Sequence, residues 1–135
     1  MAMIERYAEI RPHEADIVFV HGDLWAGNIA VDLATGTLNG FFDFEDAGLG
    51  DRHIDLMYLH SFGDCFAARA FEAYVDKTGR PISRARTALY HAIAALAALA
   101  NTPETADESL LRQRQRWVSE VCEGPIAKLA LEAEP

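Results

Sequence analysis

The 135-residue sequence predicts an α+β fold, in which a small β element is followed by about four helices. Short apolar runs between turn residues, such as Ile17–Val20 and Ile29–Leu33, are typical of strands. After Asp51 the apolar residues recur at helical spacing. Half of the residues are apolar, which suffices for a core, so we expect a single domain over residues 1–135.

The N-terminal elements are predicted from their boundaries. Residues 2–9 are expected to end a helix, with Pro12 as the break after it. Residues 17–20 form a strand. Residues 29–33 and 38–42 form the two strands of a hairpin.

The C-terminal part is predicted to be helical throughout. The helices are expected to start after Asp51, at about Cys65, at the N-cap Ser83 and at about Asp107. Gly124-Pro125 is expected to end the last of them.

The predicted hairpin suggests a metal site. If its turn is centred on residues 35–36, Ile29 faces Phe42 and Asn28 lies directly opposite Asp43. Cross-strand neighbours are about 4.5–5.5 Å apart at Cβ. An amide oxygen and a carboxylate at this distance can share one Mg²⁺ ion. The alternative is that both are turn or capping residues.

The sequence "HGDLWAGN", residues 21–28, lies between two predicted strands and contains a second acid, Asp23. A carboxylate on such a loop can act as a general base toward a hydroxyl group. The alternative is again local, because Asx side chains often bind the backbone of their own loop.

The charge is uneven along the chain. Residues 1–64 hold 12 acidic and three basic side chains, whereas the rest hold nine of each, so the net charge of −9 lies in the first part. Such a surface repels nucleic acid and favours divalent metal ions or cationic small molecules, although it also serves solubility.

The sequence also indicates a cellular location. No apolar run is long enough to cross a membrane, and no signal peptide is visible. We therefore expect no membrane partner and a cytoplasmic protein with Cys65 and Cys122 reduced.

Two stretches carry a resemblance to a known family. "VHGDLWAGNIAV" and "GFFDFEDAGLGDRHIDL" resemble the paired signature of the aminoglycoside phosphotransferase and choline-kinase-like small-molecule kinases. Every fixed position of that signature is present between His21 and Leu56. The resemblance implies the C-terminal catalytic lobe of a protein-kinase-like fold.

The resemblance also implies roles for individual residues. Asp23 matches the catalytic aspartate that orients and deprotonates the acceptor hydroxyl. Asn28 and Asp43 match two Mg²⁺ ligands, with ATP as the co-substrate. Phosphoryl transfer depends mainly on positioning and on neutralising phosphate charge, so this small set can suffice.

Structural support for the site is expected from five further residues. His21 would brace the catalytic loop through hydrogen bonds, Asp51 would cap the next helix, and Asp55 would tie that helix to the loop. Gly22 and Gly27 would permit tight backbone conformations.

Two further residues are weaker candidates for substrate contacts. Trp25 could line the acceptor pocket or pack in the core or at its rim. Glu45, which stands where protein kinases carry glycine, could face the metal.

The sequence departs from the family in one major respect. The family's separate β-rich nucleotide lobe has no counterpart in the residues before His21. The two lysines, Lys77 and Lys128, lie far downstream, and there is no Gly-rich phosphate-binding loop. We therefore expect apolar surface that a homodimer or a nucleotide-lobe partner chain covers.

Three function classes remain open. The first is an ATP-dependent kinase for a small molecule, acting with a partner chain or within a longer protein. The second is a non-catalytic remnant that serves as a metal-binding or interaction module. A third, weaker alternative is a metal-dependent phosphohydrolase that uses Asp23, Asp43 and His53.

Overall fold

A computed structural model describes residues 2–134 as two compact units, one of residues 12–82 and the other of residues 2–11 and 83–134. Over the described residues the chain has six α-helices and two small antiparallel sheets, so the α+β class is confirmed. None of the described helices has both the length and the apolar character that crossing a bilayer requires.

The unit of residues 12–82 contains both sheets. Its elements are β1 (Ile17–Val20), β2 (Ile29–Asp32), β3 (Thr37–Phe41), β4 (Gly48–Asp51), α2 (His53–Leu56) and α3 (Asp64–Thr78), with 3-10 turns at Glu14–Asp16, Ala26–Asn28 and Met57–Phe62. Strand β1 pairs with β4, so that Ile17 aligns with Asp51 and Val20 with Gly48, and β2 pairs with β3.

The other unit is entirely helical and consists of α1 (Ala2–Glu9), α4 (Arg84–Ala100), α5 (Glu108–Glu123) and α6 (Pro125–Leu131). Its core includes Ala92, Ala95 and Val121. The small alanines of α4 allow α5 and α6 to approach it closely.

Two helices of this unit begin at N-caps, the predicted one at Ser83 and a second at Asp107. The Ser83 hydroxyl accepts a hydrogen bond from the Arg86 N–H at 3.2 Å, and the Asp107 carboxylate accepts one from the Leu110 N–H at 2.8 Å. Ser83 and Asp107 therefore start α4 and α5 as the sequence predicts.

Strand β4 and helix α6 were not predicted. Strand β4 contains Gly48 and Gly50, which have low strand propensity, so its sequence resembles a loop. The Gly124-Pro125 pair does end α5, but Pro125 also begins α6, because proline is well tolerated in the first helical turn.

The predicted hairpin register is wrong by one or two residues. Ile29 aligns with Phe41 rather than Phe42, and Val31 aligns with Leu38, with an irregularity between residues 30 and 31. The Asp32 carboxylate accepts hydrogen bonds from the two turn N–H groups of residues 34 and 35. This local turn shifts the register by two residues, and an additional residue in β3 beyond Leu38 reduces the shift to one residue at Ile29.

The apolar side chains of the hairpin are largely exposed, in line with the expectation of uncovered apolar surface. Val31 is 44% exposed, Leu38 53% and Leu33 95%. The β1–β4 sheet is also exposed on one side, where Phe19 and Leu49 align across the ladder. The described unit therefore carries apolar surface on both of its sheets.

Candidate active site

The loop of residues 21–28 joins β1 to β2 and requires glycine at its second position. Gly22 has φ +87°, a value that side chains with a Cβ rarely adopt. A Cβ at this position would lie 2.4 Å from the backbone oxygen of Asp46. Gly22 thus allows the loop to contact the segment that follows β3.

Asp55 binds the backbone of this loop with both carboxylate oxygens. Its Oδ2 accepts a hydrogen bond from the His21 N–H at 2.8 Å, and its Oδ1 accepts one from the Gly22 N–H at 2.9 Å. Hydrogen bonds to an ionised acceptor are stronger than neutral ones. The four-residue helix α2 is therefore joined directly to the loop through Asp55, as the resemblance implied.

The His21 ring connects the loop to the residues on either side of Asp43. Its Nδ1 lies 3.3 Å from the Asp23 N–H, and its Nε2 lies 2.9 Å from the Phe42 carbonyl oxygen. Because the first partner is a donor and the second an acceptor, the tautomer with the proton on Nε2 satisfies both. The ring also packs on Phe44, with 4.5 Å between centroids.

Asp23 and Asn28 are brought together. The Asn28 Nδ2 donates to the Asp23 Oδ2 at 3.0 Å and to the Asp23 backbone oxygen at 2.9 Å. Asn28 is buried, and Asp23 is half-buried. Since both bonds use the amide nitrogen, the acceptor capacity of the Asn28 Oδ1 is retained.

Asp43 lies one residue beyond the position predicted from the register. The Phe42 N–H donates to the Asn28 carbonyl oxygen at 3.1 Å, so Phe42 rather than Asp43 aligns with Asn28. Asp43 is exposed and has φ +64°, the only positive φ of a non-glycine residue over residues 2–134. This turn in the backbone lies two residues beyond the end of β3, and the Asp43 side chain is exposed to solvent.

Tyr58 is a member of this group that sequence reasoning missed. Its hydroxyl donates to the Asp23 Oδ1 at 3.1 Å. Burial raises the pKa of Tyr58 well above its usual range, and the charges of Asp23, Asp46 and Asp55 add to this effect. A usable signal existed, since Tyr58 follows Asp55 by three residues and helical residues at this spacing share a face.

The weaker candidates lie at the surface. Trp25 is 49% exposed, and its ring covers Gly27, where a Cβ would come within 2.2 Å of a ring carbon. Gly27 therefore permits a close side-chain approach rather than a positive φ. Glu45 is exposed.

A separate cluster lies where β4 meets α2. Asp16, Asp51 and His53 each offer one ligand atom within 4.8 Å of the others, a spacing that could hold a metal ion. Asp16 forms an ion pair with Arg52 at 2.7 Å. Asp51 was expected to cap α2, but it ends β4, and the N-cap position is Arg52. The Asp51 carboxylate nevertheless accepts a hydrogen bond from the N–H of His53, the first residue of α2, at 3.0 Å.

The same cluster bears on the phosphohydrolase alternative. The His53 Nδ1 is bonded to Asp51, and both side chains are buried. Because His53 is held by Asp51 and neither Asp23 nor Asp43 belongs to its cluster, this geometry gives no support to a site of Asp23, Asp43 and His53.

Comparison with known sequences identifies the family. Residues 2–90 match the phosphotransferase enzyme family, and they make up more than half of the chain. The chain belongs to the phosphotransferase enzyme family. This phosphotransferase family member is 38% identical over 61 residues to an aminoglycoside 3'-phosphotransferase of Niallia circulans. The match covers 42% of the chain and 22% of that relative. No solved structure matches this family member.

Family membership confirms the resemblance seen in the two sequence stretches. The signature residues from His21 to Leu56 lie in the unit of residues 12–82. Asp23, Asn28, His21 and Asp55 form one hydrogen-bonded group there. Asp43 joins that group through the backbone of its neighbour Phe42.

Proposed function

We propose that the chain supplies the catalytic and metal-binding residues for phosphoryl transfer from ATP to a hydroxyl group of a small molecule. The observation that carries this proposal is the Asp23 carboxylate, whose Oδ2 is bound by Asn28 and whose Oδ1 is bound by Tyr58. A carboxylate held in one orientation can align an acceptor hydroxyl and accept its proton.

Asn28 and Asp43 are the proposed ligands of Mg²⁺. The oxygen chemistry fits, because Mg²⁺ prefers carboxylate and amide oxygens. Asn28 uses its nitrogen toward Asp23, and Asp43 is open to solvent, so each residue keeps an oxygen for a ligand. The ion would neutralise charge on the transferring phosphate.

The proposed acceptor is a small hydroxyl compound that carries positive charge. Three exposed acids, Asp43, Glu45 and Asp46, follow β3 closely, and the net charge of −9 lies in the first 64 residues. Such a surface attracts cations. The relative in Niallia circulans is named for an aminoglycoside, which supports an amino sugar as the first acceptor to test.

A second candidate function, binding to another protein, is favoured by the exposed sheet face. Phe19 is 68% exposed and Leu49 is 82% exposed, and the two align across the β1–β4 ladder. Adjacent apolar residues in contact with solvent commonly mark an interface. The proposed partner is a second copy of the chain or a chain that carries a nucleotide-binding lobe.

The experiment uses the full chain with Mg·ATP and a panel of amino sugars and amino alcohols. The nucleotide-binding lobe of a family member is added as a second protein in half of the reactions, because the chain spans only 22% of its curated relative. Mass spectrometry of the acceptors measures the phosphorylated product.

Asp23→Asn should abolish product formation, because the amide cannot accept the proton. Asp76→Asn is the matched control, since Asp76 is an exposed acid on α3 outside the site. Absence of phosphorylated acceptor in every reaction would refute the proposed transfer.

A further inference from the structure

We infer that Tyr58 is a positioning residue for the Asp23 carboxylate, which it holds in the orientation that receives the acceptor hydroxyl. The inference rests on the proposed function, because it assigns a role toward the proposed general base. The family signature in this sequence ends at Leu56, so Tyr58 lies outside the residues that the signature defines.

Two donors bind different oxygens of the Asp23 carboxylate. An aspartate side chain can change its rotamer about Cα–Cβ, and its carboxylate turns easily about the bond to Cβ, since this sp³–sp² torsion has a broad energy minimum. Asn28 binds Oδ2 at 3.0 Å, and Tyr58 binds Oδ1 at 3.1 Å. With one donor on each oxygen, both the Cα–Cβ rotamer and the plane of the carboxylate are held. Each oxygen still has a lone pair available for the acceptor hydroxyl.

Two consecutive helical elements hold the backbone and the side chain of the loop. Asp55 in α2 binds the N–H groups of His21 and Gly22, and Tyr58, three residues later in the 3-10 turn that directly follows, binds the Asp23 side chain. The distance from the loop backbone to the carboxylate is therefore set by one short continuous segment. A tyrosine on a separate loop would not provide this fixed spacing.

The local electrostatics keep Tyr58 as a donor. Burial, the charge of Asp23 and the hydrogen bond to it, followed by the charges of Asp46 and Asp55, raise the pKa of the Tyr58 hydroxyl. The hydroxyl therefore stays protonated through the neutral range and continues to donate to the carboxylate.

The first test uses NMR on the full labelled chain and requires no turnover. In the wild type we expect Asp23 Hα–Hβ couplings of a single rotamer and a slowly exchanging Tyr58 hydroxyl proton near the Asp23 Hβ protons. In Tyr58→Phe the Asp23 couplings should become averaged, while the His21 and Gly22 amide signals stay unchanged. Tyr74→Phe, which removes another half-buried tyrosine hydroxyl of the same unit, is the control and should leave Asp23 unaffected.

The second test uses the transfer reaction of the proposed function. Tyr58→Phe should lower kcat about tenfold, because hydrogen bonds to charged groups commonly contribute at least this factor. The KM for Mg·ATP should not change.

Each outcome bears on one idea. Averaged Asp23 couplings in the wild type, or unchanged couplings in Tyr58→Phe, would overturn the positioning role whether or not the chain transfers phosphate. Averaging in Tyr58→Phe with an unchanged kcat would show that the orientation does not matter for the reaction, and would overturn the inference as well. A third outcome would separate the two ideas. If the wild type shows no transfer but has a single Asp23 rotamer, and Tyr58→Phe averages the Asp23 couplings, only the proposed function would be refuted.

Discussion

Gly22 is the residue whose replacement the structure constrains most sharply. Gly22→Ala would combine an unfavourable φ of +87° with a Cβ 2.4 Å from the Asp46 backbone oxygen. We expect a loss of about 2 kcal/mol or more in the free energy of unfolding. Urea titration followed by circular dichroism measures it.

Gly36→Ala is the matched control for this prediction. Gly36 has φ +69°, but nothing lies within 4 Å of its added Cβ, so only the backbone strain applies and the loss should be about 1 kcal/mol. Equal losses in the two variants would show that the contact with Asp46 is unimportant.

Asn28 and Asp43 are the residues at which we predict metal binding. Asp43→Asn should weaken Mn²⁺ binding because the carboxylate charge is lost. Asparagine is the appropriate replacement, since it tolerates the φ of +64° better than alanine does. Calorimetry or proton relaxation measures the affinity, with Asp76→Asn as the control. Equal binding by wild type and Asp43→Asn would contradict the assignment.

Some residues of the candidate site could be predicted from the sequence and others could not. Asp23, Asn28 and Asp55 could be chosen from the signature, and the structure brings all three to the same loop. The predicted alignment of Asn28 with Asp43 failed because it depended on the turn. The carboxylate of Asp32 reshapes that turn through two backbone hydrogen bonds, and alternation along the strands carries no information about them.

At the scale of elements, α2 is predicted to be held to the loop mainly by Asp55. Asp55→Asn removes the charge from two hydrogen bonds and replaces one acceptor oxygen by a donor. We expect a loss of about 1–3 kcal/mol in the free energy of unfolding. Amide hydrogen exchange of His21 and Gly22 should become faster. Protection that stays as in the wild type would show that other contacts hold the loop.

The β2–β3 hairpin is predicted to respond to acid through its turn. Hydrogen bonds from Ala34 and Thr35 lower the pKa of Asp32 below its ordinary value. A pKa that is lower in the folded than in the unfolded state means that the stabilisation is present above the unfolded pKa. It is lost as the pH falls through the folded pKa.

NMR shifts of the Ala34 and Thr35 amides measure this transition, and its midpoint should lie below the ordinary value for aspartate. Asp32→Asn keeps an acceptor for the turn but removes the titration, so the pH dependence should disappear. A midpoint at or above the ordinary value would contradict the role of these hydrogen bonds.

The elements differ in how well local sequence defines them. Helices α4 and α5 start at good N-caps and repeat apolar residues at helical spacing, so their starts could be predicted. Strand β4 could not, because Gly48-Leu49-Gly50-Asp51 is a strand only through its pairing with β1. Tertiary pairing of this kind overrides a weak local preference.

For the whole molecule, association is the first prediction. Exposed apolar residues on both sheets should lead to a homodimer or to a tight complex with a partner chain, and a stable contact would bury about 1,200 Å² or more. Light scattering at micromolar concentration measures the mass.

Phe19→Glu should reduce association through the β1–β4 face. Ile4→Glu, at an exposed position of the helical unit, is the control. A folded monomer that binds no hydrophobic dye would contradict the prediction.

The second prediction for the whole molecule concerns the 135-residue chain by itself. We expect little or no ATP turnover even with Asp23, Asn28 and Asp43 intact. The chain has two lysines, both far from these residues in sequence, and no Gly-rich phosphate loop to hold ATP in line. A coupled ADP assay measures turnover. Steady consumption that Asp23→Asn abolishes would show that the chain positions ATP unaided.

The irregularity in the hairpin has an evolutionary consequence. On one side of it Asp32 aligns with Thr37 next to the turn, and on the other side Ile29 aligns with Phe41 next to the candidate site. A gain or loss of a residue in the exposed turn can be absorbed where the ladder is already irregular. We therefore expect related sequences to differ in the length of this turn while Asn28 keeps its position opposite Phe42.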